Sequence, residues 1–598
     1  MPDPAPALDA VTAGAFLLVL AIVVPVAGVL AAFAAGGRWV ERIALTTLPL
    51  GLAIAVAIAI ALWRTDAPIV YLLGAWAPPL GVALRADGLS ALMMAITAVV
   101  ICGVGIFACA DFRIPAGATE ARAPFAFWIL LLAIWAALNM VFVAGDLFTL
   151  YVALELLTFA AVPLVSLDGR AETLQAALRY LIFALLGSAF YLVGSALLYG
   201  AYGTLDIVLL SHQLRAQPAT LVAAALMTVG LLAKTALFPL HLWLPPAHAG
   251  APAACSAVLS ALVVKGSFFI VVRLWFGVMP GLPGSAAAQL LAALGAAAIV
   301  LGSIVALRQE RLKLLVAYST LAQIGYLFLM FPLALDPATA RLASGGALAG
   351  GILQAISHAT AKAAMFMSAG LLYAALGHDR ISGLAGVARA LPLSVLAFAL
   401  GGMALIGPPG SGAYLAKTLL LQAADDGGQW WWTVVIQAGG MFTAGYWLLV
   451  LVHTLARGDA SAALRARVSR LQEAAALALA LCSLLLGLFP WDAYLAIPAG
   501  AAASNPLTLK ALSSLLWPIV GGAVLATLLG RSGLPPARLR VENLLVAVIR
   551  PVRRGVLVLS GTIERLDGAL RQWPVAAISL LVIAMLLGAA MQAAQSLD

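Results

Sequence analysis

Apolar runs of about twenty residues fill this chain almost from end to end, separated by short polar or Gly/Pro-rich connections. They fall near 11–35, 43–63, 87–110, 124–144, 147–166, 174–200, 219–243, 252–275, 285–307, 313–334, 343–376, 391–423, 430–456, 471–489, 508–530 and 573–594. A helix of that length crosses the roughly 30 Å hydrocarbon core of a bilayer. The pattern therefore predicts an all-α polytopic membrane protein with sixteen spans. The sequence shows no series of short alternating strands of the kind a membrane β-barrel would need. The first run lacks a preceding basic region and is too long for a signal peptide, so it reads as a retained span. One stretch breaks the rhythm. Between the last two spans, Val541, Leu545, Val548, Val552, Val556, Leu559, Ile563, Leu566 and Leu570 recur every three or four residues with arginines among them. That is an amphipathic helix lying on the inner surface, interrupted near Pro551. At about 1.5 Å per residue it reaches roughly 50 Å, enough to touch a neighbouring subunit, with binding to anionic lipid as the other reading.

Composition agrees with the pattern. The 598 residues are 64% hydrophobic and 10% charged, with mean hydropathy +1.08, against about 25% charged in soluble domains. The net charge of +9 is explained by basic loops on the cytoplasmic side and gives no reason to invoke nucleic acid. With the N-terminus outside, 23 of the 33 basic residues fall in inside segments and six in outside loops. That asymmetry places both termini outside a bacterial-type inner (cytoplasmic) membrane. Cys102, Cys109, Cys255 and Cys482 all lie in apolar segments without metal-ligand spacing and read as small core residues.

The four basic residues left within spans are Lys234, Lys265, Lys362 and Lys417, in a chain with six lysines in total. A cation at mid-membrane depth costs about 2.5–3.5 kcal/mol even on insertion scales. Arginine stays protonated there, whereas a buried lysine can exchange its proton. A single such lysine could snorkel to an interface; four at mid-span point to a proton path. Only one carboxylate, Glu155, lies deep in a span. Its candidate partners are Arg179 and Lys234, and making or breaking a Glu–Lys pair would change the lysine's proton affinity. Asp146 reads as a helix N-cap. Two spans carry breaks. Pro239, His241, Pro245, Pro246 and His248 follow Lys234, and Gly407-Pro408-Pro409-Gly410 precedes Lys417. Paired interruptions of this kind point to an ion site at a repeat interface. Ser319, Gln323 and Tyr326 share the tenth span, and His358 and Lys362 are four apart on one helical face. His241 is a further relay candidate, and His248 is expected at the cytoplasmic mouth. With no third ligand at a suitable spacing, the two histidines do not define a metal site. Trp430-Trp431-Trp432 fits an interfacial aromatic belt. The chain shows no Walker loop, dinucleotide fingerprint, haem motif or hydrolytic triad, so no cofactor is expected.

The stretches DLFTLYVALELLTF, AKTALFPLHLWLPPAHAGAPAACSAVLSALVVKG, RLKLLVAYSTLAQIGYLF, SHATAKAAMFMSAG and LIGPPGSGAYLAK resemble those of the antiporter-like membrane subunits shared by respiratory complex I, Mrp-type sodium/proton antiporters and membrane-bound hydrogenase complexes. Lys362 and Lys417 look most like the Mrp D-type subunit. The resemblance implies two inverted five-helix repeats with broken seventh and twelfth helices. The implied division is three N-terminal helices in 1–115, repeats in 116–280 and 281–460, and a C-terminal region 461–598 carrying a lateral segment at about 538–572. It also implies a proton path through Glu155, Lys234, Lys265, His358 and Lys417. Pro246 departs from the family, which usually offers an acid there.

The expectation is thus a proton-translocating subunit of a multisubunit membrane complex, meeting other membrane subunits and lipid, with exchange for sodium left open. One alternative is the same subunit inside a redox-driven quinone oxidoreductase or hydrogenase. Another is a proton-coupled partner for inorganic-carbon uptake. Neither a redox nor a hydrolytic site belongs to the chain itself.

Overall fold

The computed structural model describes residues 12, 14–65, 67–113, 121–336, 342, 345–458, 464–495, 514–530 and 542–595. Among these, fourteen helices are long and apolar enough to cross a membrane, from Phe16–Ala35 to Trp573–Ala593. The expected spans at 391–423 and 508–530 appear as the shorter apolar helices Pro392–Ile406 and Leu516–Leu529, so the count of sixteen is not met by length alone. The first is short because the Gly-Pro-Pro-Gly run ends it; a second half, Gly412–Asp426, follows. One feature was not anticipated: an antiparallel ribbon pairs Ile69–Leu72 with Ala83–Ala86 in the loop between the second and third spans.

Burial sorts the helices. All of the most apolar window in Ala253–Val278 is inside the protein, as is 94% of that in Leu312–Ala334, against 28% in Phe16–Ala35 and in Trp573–Ala593. The polar-bearing helices therefore form the centre and the uniformly apolar ones lie at the periphery. Two close crossings fix that centre. A Cβ at Gly230 would sit 2.2 Å from the Gly187 carbonyl oxygen, and one at Gly325 would sit 2.2 Å from that of Gly295. Only glycine permits backbones to approach that closely.

The surface helix runs continuously over Glu542–Leu570 with Pro551 inside it, which corrects the expected interruption. A proline removes one hydrogen bond and can be carried through a helix as a bend. Residues 538–541 lie outside the described ones. The helix is docked on its own chain: Val556, Ser560, Ile563 and Asp567 face inward, while Val558, Leu559 and Leu566 are exposed.

Candidate functional site

Glu155 and Lys234 form the ion pair expected of them. Lys234 closes the helix Pro218–Thr235, one turn past the Gly187–Gly230 crossing, so its side chain reaches the Glu155 helix, Leu147–Val165. Lys234 Nζ lies 3.2 Å from Glu155 Oε1, donates to Thr158 Oγ1 at 2.7 Å and reaches the Leu154 carbonyl at 3.4 Å. Ser188, the neighbour of Gly187, also donates to Glu155. The pair is nearly dry, at 6% and 14% side-chain exposure. Arg179 does not share it, and no hydrogen bond or ion pair joins Arg179 to Glu155 among the described residues. A cavity beside Lys234, bounded by Thr158, Tyr180, Val263 and Ser267, leaves about 10 Å³ for the centre of a water-sized sphere. That is room for about one water. Thr235 Oγ1 donates to Ser267 Oγ at 2.9 Å, linking the Lys234 helix to the helix that carries Lys265.

The second contact was not legible from spacing. Lys265 follows a π-helical turn, Leu259–Val263, a distortion that recurs at functional sites because it misaligns backbone acceptors. Its Nζ donates to the Ser260 carbonyl at 2.5 Å and contacts His358 Nδ1 directly. Lys265 and His358 are ninety-three residues apart and fully buried. One turn on, Lys362 is hydrogen-bonded to Ser319 and reaches the Val316 carbonyl at 3.4 Å.

Gln323 sits in a buried polar cluster. Its amide donates to Thr443 Oγ1 at 3.0 Å and Tyr446 OH at 3.2 Å, and its oxygen accepts from Gln354 at 2.8 Å. Gln354 is four residues before His358, the same stripe that singled out Lys362, and sequence reasoning passed over it. Among the described residues no carboxylate pairs with Lys417. It is held by the Leu405 and Ile406 carbonyls at 3.1 and 2.9 Å, acceptors freed where Pro392–Ile406 ends, and lies 5.5 Å from the Tyr326 ring centroid. Gly407 makes that ending possible, with φ +94°. The six residues thus occur as two direct contacts, Glu155–Lys234 and Lys265–His358, with Lys362 and Lys417 on neutral oxygen acceptors.

Of the histidines after the first break, His248 differs from expectation. His248 is fully buried and stacks on Phe366 at 4.6 Å between centroids, with no hydrogen bond at either nitrogen; it does not face a mouth. The Leu244–Gly250 helix tucks it inward. His241 is also fully buried, and its partner is Asp567 of the surface helix, 2.9 Å from Nε2. Asp567 further accepts from Tyr318 OH at 2.7 Å and Arg571 Nε at 2.9 Å. No group of three or more His, Cys, Asp or Glu able to hold a metal occurs among the described residues.

Helical spans packed around a row of lysines, with Glu155 paired to one of them and two helices broken, define an antiporter-like membrane core. The family described as NADH:quinone oxidoreductase/Mrp antiporter, transmembrane, matches residues 144–443, and the chain belongs to it. An N-type subunit of an NADH-quinone oxidoreductase from Desulforudis audaxviator is 32% identical over 400 residues, covering 65% of this chain and 76% of that protein. A D-type subunit of a Na(+)/H(+) antiporter from Bacillus subtilis is 28% identical over 348 residues, covering 58% and 67%. A chain of the Mrp complex from Dietzia sp. DQ12-45-1b shares the fold, with TM-score 0.71 at 24% identity over 84% of this chain and 99% of that one. A chain of respiratory complex I from Thermus thermophilus aligns with TM-score 0.62 at 26% identity over 79% and 97%.

Proposed function

We propose that this chain is a proton-translocating, antiporter-like subunit of a multisubunit membrane complex. Protons move along Glu155, Lys234, Lys265, His358, Lys362 and Lys417, with Gln323 in the polar cluster between the last two. The observation that carries this reading is the row of four lysines within the helical core, three of them buried and Lys417 part-buried, of which only Lys234 is paired with a carboxylate among the described residues. A cation at that depth is costly and marks a functional site, so four such lysines are better explained by use than by structure. Glu155–Lys234 acts as the switch: while paired, both groups hold their charges, and separating them releases the lysine proton toward Ser267 and Lys265. Lys265–His358 passes it between the two halves, and Lys417 is the far gate. The halves correspond to repeats in 116–280 and 281–460, in an inner membrane with both termini outside.

The similarity to a quinone oxidoreductase subunit, at 32% identity, favours one second reading, in which electron transfer elsewhere in the complex drives this path. The partners that co-purify separate the two: iron–sulfur or flavin subunits for the redox form, small membrane subunits for the antiporter. For either form, the complex carrying Lys234→Ala, rebuilt into liposomes with a pH-sensitive dye, is expected to assemble and to lose proton movement. Full activity in that variant sinks the mechanism.

A further inference from the structure

The surface helix meets the first break at a closed cluster of polar groups, beside a water-accessible hollow. Asp567 is 2% exposed and His241 0%, yet the residues around Asp567 line a cavity of about 380 Å³, roomy enough for several waters. Pro245, Pro246, Gln309, Tyr318, Glu564 and Arg571 line it with Asp567. The imidazole bridges this hollow and the interior: Nε2 meets Asp567, and Nδ1 has no hydrogen-bond partner. The loop carrying His241 folds back on the Lys234 helix, where Trp243 Nε1 donates to the Ala233 carbonyl at 3.0 Å and the indole stacks on Tyr180 at 4.2 Å. Tyr180 lines the small cavity beside Lys234.

We propose that Asp567 and His241 form the proton inlet of the path, with the surface helix supplying its carboxylate. This rests on the proton-translocating reading above. A proton from water in the hollow binds an Asp567 oxygen. At rest Nε2–H donates to the charged carboxylate and Nδ1 is bare. The ring turns to present Nδ1 and takes the new proton from Asp567, breaking O–H and forming Nδ1–H. The imidazolium then releases its Nε2 proton toward the break, which leaves a neutral ring and a charged Asp567. Five groups set the charge here. Tyr318, Arg571 and His241 bond Asp567 directly, and Glu564 faces the hollow paired to Arg308 at 3.3 Å. Burial pushes the Asp567 carboxyl up, but the contacts to His241, Arg571 and Tyr318 outweigh it and hold it below the usual carboxylate value. The carboxylate therefore rests charged and hands on any proton it receives.

The test is Asp567→Asn in the complete complex, with proton movement followed as pH is raised on the surface-helix side. A collecting carboxylate matters most when protons are scarce, so the loss is expected to grow from about 2-fold near pH 6 to about 10-fold near pH 8.5. Pro246→Asp, which places an acid in the same hollow, is expected to restore the Asp567→Asn rate at the higher pH. If Asp567→Asn does not assemble, Tyr318→Phe, which removes one hydrogen bond from Asp567 and so raises its proton affinity, is expected to flatten the fall in rate at the higher pH. A wild-type profile, or the same fractional loss at every pH, overturns the inlet and leaves Asp567 a structural clamp. A wild-type complex that moves no protons refutes the underlying function instead.

Discussion

Replacing Glu155 by glutamine removes one charge from a pair whose geometry sets the size of the effect. At 3.2 Å and an effective dielectric near 20, the Coulomb attraction is about 5 kcal/mol. Glutamine keeps the shape and can still accept from Ser188, but Lys234 is left with Thr158 Oγ1 and the Leu154 carbonyl, both neutral. Breaking one side of a buried pair costs about 3–5 kcal/mol, in line with the Coulomb figure. If only half of that reaches the barrier for proton transfer, the rate falls roughly 10–70-fold. The assay is the initial rate of dye-detected acidification in liposomes holding the assembled complex, normalised to the amount of this chain in the native complex. Glu155→Gln combined with Lys234→Ala should be no slower than Lys234→Ala alone, because both remove one switch. An assembled Glu155→Gln complex running within twofold of wild type refutes the pairing argument.

Three further outcomes follow from the geometry. Gly230→Ala places a Cβ against the Gly187 carbonyl and should lower stability by about 1–3 kcal/mol, read as a drop in the thermal midpoint of the detergent-solubilised protein. Gly407→Ala must hold φ near +94° at a cost of about 1–2 kcal/mol; moving the Leu405 and Ile406 carbonyls off Lys417 should slow transport with assembly kept. The Asp567 clamp has a defined pH sign. Its carboxyl is held below 3.8 in the folded protein, so the clamp contributes fully above that value and is lost only as pH falls through the folded one. Hydrogen exchange across Val556–Leu570 should therefore keep its protection from neutral pH down to about pH 4 in wild type, and be faster throughout in Asp567→Asn.

What could be read in advance divides by range. Glu155, Lys234 and the breaks were legible because each violates the apolar pattern locally, and a violation costly enough to need compensation marks itself. The His358–Lys362 stripe was legible through helical spacing, and the same spacing should have found Gln354. The Lys265–His358 contact depends on how two buried helices cross, which no single segment encodes. Asp567 lay beyond reach for a different reason: on an arginine-rich amphipathic helix an aspartate looks like part of a solvated face. Its role comes from a fold that brings it 326 residues back along the chain to His241. The sequence had marked Pro246 as a mouth lacking an acid, and the surface helix places a carboxylate in that same hollow. The apolar stripe expected of the surface helix is present on one face: Val556 and Ile563 turn inward, while Leu559 and Leu566 beside them stay exposed.

Lys265 is where the two halves of the row touch, so it offers the most direct trial of the claim that protons cross the middle of the protein. In the complete complex rebuilt into liposomes, Lys265→Met fills the same space without a group that can carry a proton. Proton translocation should vanish while the complex remains assembled and its partners stay bound. Wild-type translocation by the assembled Lys265→Met complex would contradict the account.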